Sequence, residues 1–221
     1  MSVVTRPPGR PRRPAARLAA GAVFAGLLAA ALAFSPGVAE PRRRSAAELM
    51  DVLMWNREPV GGPFALTDHT GRGRTDRDFR GKLLLVYFGF TRCADVCPTD
   101  LVEVSGAIDR LGPDGDAVQP LFITLDPERD TVALLGDYVP FFHPRLVGLT
   151  GAAAEIARAA AAYKVFHERR ETDGEAYTVD HSAYIYLVDR AGAYVGHFPP
   201  GTPAERMVAV LRRHLPETGP P

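Results

Sequence analysis

Cysteine is scarce in this chain. Two are present in 221 residues, both inside one five-residue window, Cys93-Ala94-Asp95-Val96-Cys97. That scarcity excludes a fold stapled by several disulfides and leaves the pair as either a site or a single short-loop disulfide. No cysteine stands at the end of the amino-terminal apolar stretch, which excludes a lipoprotein acylated after export. Acidic residues are missing before Glu40, whereas residues 1–44 hold 8 Arg. The remainder has 18 basic and 25 acidic residues, a net charge of −7. That sign is wrong for a nucleic-acid binder.

The first 44 residues are of a different kind from the rest. Arg6, Arg10, Arg12, Arg13 and Arg17 precede an uncharged, Ala-rich stretch from Leu18 to Phe34. Its 17 residues lie at the lower edge of a bilayer span, roughly 17 to 25 residues, and just above a signal-peptide core of about 7 to 15. Length alone does not choose between a single-pass anchor at 18–34 and a cleaved leader; Ala31-Leu32-Ala33 and Gly37-Val38-Ala39 are both small-residue cleavage candidates. Arginines before the segment favour an amino terminus left in the cytoplasm and a domain on the outer face, although Arg42, Arg43 and Arg44 weaken the asymmetry. Residues 45–62 read as a linker, 63–215 as one domain and 216–221 as a tail. Met50, Met54 and Trp55 in the linker read as an apolar face rather than as copper ligands.

Within the domain, Phe64 to Gly81 predicts a small hairpin. The run Leu83 to Phe88 is apolar without alternation, which predicts a strand central in a sheet covered on both faces. A helix opened by the cysteine window follows, with Cys97, Leu101, Val104, Ile108 and Leu111 at three- and four-residue spacing and Pro98 tolerated near its start. Strand 121–125, a helix through Val132, Leu135 and Tyr138, strand 146–149 and an Ala-rich helix from Ala152 to Tyr163 continue the alternation. A polar loop at 171–175, strands 183–188 and 193–197 joined as a hairpin, and a closing helix from Pro203 to His214 complete it. An α/β domain with a central mixed sheet flanked by helices, and a thiol pair after its first central strand, has a thioredoxin-like order.

Two thiols at i and i+4 on a first helical turn share one face, with Cβ atoms about 6 Å apart. Unpaired amides at the helix start and the neighbouring Arg92 favour a thiolate, so Cys93 is expected to be the more acidic thiol. Thiolates are soft ligands suited to Cu(I) and also to Zn. The three-residue spacing, one more than in dithiol oxidoreductases of this fold class, permits a disulfide and also a metal. A third ligand is expected from the end of a neighbouring strand. His181, just before strand 183–188, is the candidate, with Asp180 as a possible partner to orient it. The plainer reading of His181 is a hydrogen-bonded loop histidine; His69, His143, His167, His197 and His214 have no comparable placement.

The run Gly89-Phe90-Thr91-Arg92-Cys93-Ala94-Asp95-Val96-Cys97-Pro98-Thr99 resembles the Sco/SenC family of copper-binding proteins that serve cytochrome c oxidase assembly. The resemblance continues, in family order, through Phe122 to Thr131, Phe142 to Gly151 and Val179 to Ser182, covering about residues 60–215. It implies a thioredoxin-like domain tethered outside the membrane, with Cys93, Cys97 and His181 binding one copper ion. Ala94 stands where many members have proline, which removes no ligand. The turn Asp126-Pro127-Glu128-Arg129-Asp130 is given no chemistry, with partner docking left open.

These readings predict a metallochaperone that holds Cu(I) or Cu(II) and passes it to the binuclear site of cytochrome c oxidase subunit II. A copper donor and a thioredoxin-like reductant are its implied partners. The expected location is the inner (cytoplasmic) membrane with the domain periplasmic, or the periplasm itself after cleavage. The alternative is a thiol-disulfide oxidoreductase in which Cys93 attacks and Cys97 resolves.

Overall fold

The computed structural model describes residues 59–172 and 177–215. The expected membrane segment at 18–34, the residues Met50, Met54 and Trp55, and the tail at 216–221 lie outside the described residues. Among the described residues no helix is long and apolar enough to cross a membrane.

Strands β1 (Ala65–Asp68) and β2 (Gly73–Thr75) form the expected hairpin, shorter than the sequence suggested because Asp76–Phe79 is a 3-10 turn. Next come β3 (Leu83–Gly89), α1 (Val96–Leu111), β4 (Val118–Thr124), α2 (Val132–Tyr138), β5 (Val147–Thr150) and α3 (Ala153–Ala162). After β6 (His167–Glu171) and β7 (Tyr177–His181) the chain closes with β8 (Ile185–Val188), β9 (Tyr194–Phe198) and α4 (Ala204–Leu211). Seven strands make one mixed sheet in the order β2-β1-β5-β4-β3-β8-β9. β3 runs parallel to β4 and antiparallel to β8.

Every residue of β3 is buried, which is why its apolar run shows no alternation: both faces of the sheet are covered. Leu83, Leu85 and Tyr87 face one core with Leu101, Ile108, Leu135, Met207 and Leu211, from α1, α2 and α4. Leu84, Val86 and Phe88 face the other with Ile156, Ala159 and Tyr163. Removing a buried Leu or Ile side chain from such a core costs about 2–5 kcal/mol, so the position of the β3 carboxyl end, where the thiols lie, is set by packing on both sides.

The ribbon β6–β7 was not expected. Its strands pair only with each other, His167 opposite His181, and stand apart from the main sheet. Four of the five β6 residues are exposed, so His-Glu-Arg-Arg-Glu carries no apolar alternation to betray a strand. The polar segment expected as a loop is therefore in part strand, and His181 is the last residue of β7 rather than a loop histidine.

Candidate metal centre

Helix α1 begins at Val96, so Cys93 lies in the loop before it and not in its first turn as the spacing suggested. The side chain of Asp95, at the position preceding the helix, makes no capping bond. The Cys93 sulfur takes over part of that role, accepting the Cys97 N–H at 3.4 Å, one of the amides a helix start leaves without a partner. Pro98 sits where no N–H is needed. The sulfurs are thereby brought together by a loop folded onto a helix end, and both are free thiols, Cys93 half-buried and Cys97 fully buried.

His181 reaches the pair from β7. Its Nε2 lies 3.5 Å from the Cys97 sulfur and its Nδ1 lies 3.1 Å from the Ser182 carbonyl oxygen. A carbonyl can only accept, so Nδ1 carries the proton in this bond and Nε2 presents its lone pair to the sulfurs. The Tyr87 and Phe90 rings hold the imidazole edge-on at 6.4 and 5.9 Å. Asp180 does not orient it: its carboxylate pairs with Arg170 of β6. The backbone carbonyl takes the place the sequence suggested for that side chain.

Ligand atoms of Cys93, Cys97 and His181 lie within 4.8 Å of one another. Bonds of about 2.0–2.3 Å at tetrahedral angles place ligand atoms roughly 3.6 Å apart, so Cys97 and His181 already stand at that separation. Two thiolates and an imidazole suit copper or zinc and are a poor match for Mg or Ca. The donor set fits a soft ion.

The two thiols differ in acidity. The Cys97 S–H, bonded to the Cys93 sulfur, holds the Cys93 thiol well below its usual range; burial opposes this, and the amides of Cys97 and Asp95 add to it. Cys97 is pushed up by the same bond with Cys93 and by its own burial. Cys93 is thus the more acidic thiol, as expected. The largest cause is its partner sulfur.

Sequence reasoning missed two groups beneath the sulfurs. Tyr87 of β3 is buried and its phenol is pushed up by burial and by the neighbouring Cys97 and Asp100. Asp100 is fully buried one turn below Cys97, its carboxyl pushed up by burial, and its Oδ1 accepts the Gly201 N–H at 2.7 Å. An acidic residue three positions after Cys97, on the apolar side of the helix, was the available signal. Above the sulfurs an open cleft is lined by Phe90, Val96, Phe166 and Val179, and Phe166 is 58% exposed at its rim.

A protein-family model described as SCO1/SenC matches residues 54–216. The mitochondrial SCO2 homolog of Bos taurus is 41% identical over 214 residues, spanning 94% of this chain and 79% of its own. Among solved structures, copper-bound ScoI of Bradyrhizobium japonicum is 45% identical with a TM-score of 0.67, covering 71% of this chain and 99% of that one. Copper-bound yeast Sco1 is 36% identical with a TM-score of 0.66, covering 74% and 92%.

Proposed function

Because the chain belongs to the SCO1/SenC family, we propose that it is a copper metallochaperone whose Cys93, Cys97 and His181 grip one copper ion as cargo for cytochrome c oxidase. The observation that carries this reading is the approach of two sulfurs and one ring nitrogen to within 4.8 Å of one another, from segments 84 residues apart in sequence. The family's copper-bound relatives supply the identity of the ion.

Binding proceeds on groups already poised. The Cys93 sulfur is a thiolate before the ion arrives, the His181 Nε2 lone pair faces inward, and Cys97 gives up its proton on ligation. Release runs the other way: the half-buried Cys93 is the sulfur an incoming thiolate can displace first, while the fully buried Cys97 holds the ion until exchange is complete. The acceptor in this reading is the binuclear copper site of subunit II. A copper donor loads the chain, and a thioredoxin-like reductant keeps the dithiol open on the oxidising side of the membrane. Residues 18–34 tether the domain to that face, or are removed to leave it free in the same compartment.

A second reading has one observation in its favour, the acidic and half-exposed Cys93 beside a buried thiol. As a dithiol reductant, the Cys93 thiolate attacks a disulfide sulfur of the oxidase subunit to give a mixed disulfide and one freed thiolate. Cys97, losing its proton, then attacks Cys93, leaving a Cys93–Cys97 disulfide and a second freed thiol on the subunit.

Anaerobic titration of the reduced chain with copper tests both. One equivalent with a thiolate-to-metal absorption band is expected, and His181→Ala is expected to abolish tight binding. Tight copper binding retained in His181→Ala overturns the ligand set. Thiol-disulfide exchange unimpaired in the same variant, with delivery lost, assigns reduction to the cysteines alone.

A further inference from the structure

The run Asp126-Pro127-Glu128-Arg129-Asp130, which supplies no ligand, touches both halves of the metal centre. Asp130 is fully buried. Its Oδ2 accepts the Thr91 N–H at 3.0 Å and its Oδ1 accepts the Thr91 hydroxyl at 2.6 Å, while the Thr124 hydroxyl donates to Oδ2 at 2.6 Å. Thr91 lies two residues before Cys93. A carboxylate holding both the amide and the hydroxyl of one residue fixes that residue's backbone as well as its side chain, and so fixes where the Cys93 loop leaves the sheet.

At the other end of the turn, Arg129 and Asp126 close on Tyr177, the first residue of the strand whose last residue is His181. The Arg129 Nη1 donates to the Tyr177 carbonyl at 2.9 Å and its guanidinium lies 3.5 Å from the centre of the Tyr177 ring. The Arg169 guanidinium lies 3.7 Å from the same centre. Two planar groups that close to one centroid lie on opposite faces, so the ring is clasped between them. The Tyr177 hydroxyl donates to the Asp126 Oδ1 at 2.7 Å, and Arg129 pairs with the other oxygen of Asp126. A two-stranded ribbon standing apart from the main sheet is marginal by itself. With no ladder bonds to the main sheet, β7 depends on contacts such as this clasp for its position.

We propose that the 126–130 turn is the positioning element of the metal centre, setting the Cys93 loop through Asp130 and the His181 strand through Asp126 and Arg129. The proposal rests on the copper reading above. Arg129 and Asp126 act through His181, and Asp130 through Thr91 and Cys93; none of them touches the ion.

A double-mutant cycle on the full chain tests this, with Cu(I) affinity read by competition against a chromophoric chelator and nitrogen coupling read by Cu(II) electron paramagnetic resonance. Arg129→Met is expected to weaken copper binding about 10- to 100-fold, the usual effect of losing a group that orients a ligand, and to weaken the nitrogen coupling. In a His181→Ala background the same substitution is expected to change nothing further. Thr91→Val is expected to behave in parallel, with its effect lost in a Cys93→Ser background. Unchanged affinity in Arg129→Met, or an equal loss in both backgrounds, overturns the proposal while leaving the copper reading intact. A native chain that takes up no copper removes both. Should Arg129→Met not fold, as read by circular dichroism, Tyr177→Phe carries the same cycle, since it deletes only the hydroxyl bond to Asp126 and keeps the clasped ring.

Discussion

Gly89 and Cys97 meet at the carboxyl end of β3 with no room for a side chain between them. A Cβ at residue 89 falls 3.0 Å from the Cys97 sulfur, 3.0 Å from the Tyr87 ring and 3.1 Å from the Phe122 ring, and all three neighbours are buried. The backbone of the central strand thus sets how deep the second sulfur sits.

Gly89→Ala is accordingly expected to reach the metal centre and not merely the core. Three buried neighbours must each yield by a few tenths of an ångström, an overpacking cost of about 1–3 kcal/mol. Any yielding by the sulfur moves it relative to His181 Nε2. Urea unfolding should show the stability loss, and chelator competition should show a fall in copper affinity alongside it. Full affinity in a destabilised variant would mean that the sulfur keeps its place and the rings absorb the strain.

The unequal acidity of the thiols makes copper loading pH-dependent with a definite sign. Cys93 is ionised in the neutral range and Cys97 is not, so ligation by both sulfurs expels roughly one proton, and affinity should rise about tenfold per pH unit. A weakly buffered solution containing a pH indicator measures that release directly. Two protons released near neutrality would show that Cys93 is no more acidic than its partner.

Exposure and acidity together predict selective labelling. Iodoacetamide at neutral pH should modify Cys93, whose sulfur is half-buried and ionised, and leave Cys97, which is buried and protonated. Peptide mass spectrometry reads the site. Labelling of Cys93 should persist on acidification well below the range in which an ordinary thiol falls silent, and prior copper loading should suppress it.

The candidate site was largely legible because its signals are local. Cys93 and Cys97 are the whole cysteine complement, and His181 was placed by the buried strand that follows it, which begins at Ile185 rather than at 183. What escaped depends on tertiary contact. The helix starts at Val96 because the Cys93 sulfur itself receives the Cys97 amide, an arrangement that no spacing rule contains. β6 is hidden by being wet on most of its length, and Asp180 was assigned to His181 because Arg170, which claims it, lies on that unrecognised strand. The turn at 126–130 showed only a helix beginning, since Thr91 and Tyr177 stand 39 and 51 residues away from the carboxylates they meet.

The last prediction concerns stability and a histidine remote in function. His143 is 7% exposed; its Nδ1 accepts the Arg145 N–H at 3.0 Å and its Nε2 lies 3.4 Å from an Asp109 carboxylate oxygen. Burial and the Arg145 charge hold the ring below its usual 6.5, against the pull of Asp109. The unfolded chain therefore takes up this proton more readily than the folded one, and stability rises with pH in that window. The contribution is complete above 6.5 and is lost as pH falls through the folded value. Buried Asp100 and Asp130, both raised by burial, act in the opposite sense: protonation favours their folded form, and that contribution grows as pH falls towards 3.8. Cys93, ionised when folded and protonated when unfolded, adds a decline of the same sign across this interval, so the comparison is made in a Cys93→Ser background. Urea midpoints measured there between pH 5 and 8 should decline on acidification, and the decline should flatten when His143→Gln, whose side chain keeps an acceptor for the Arg145 amide but does not titrate, is added. An equal slope in both proteins would place the titrating group elsewhere.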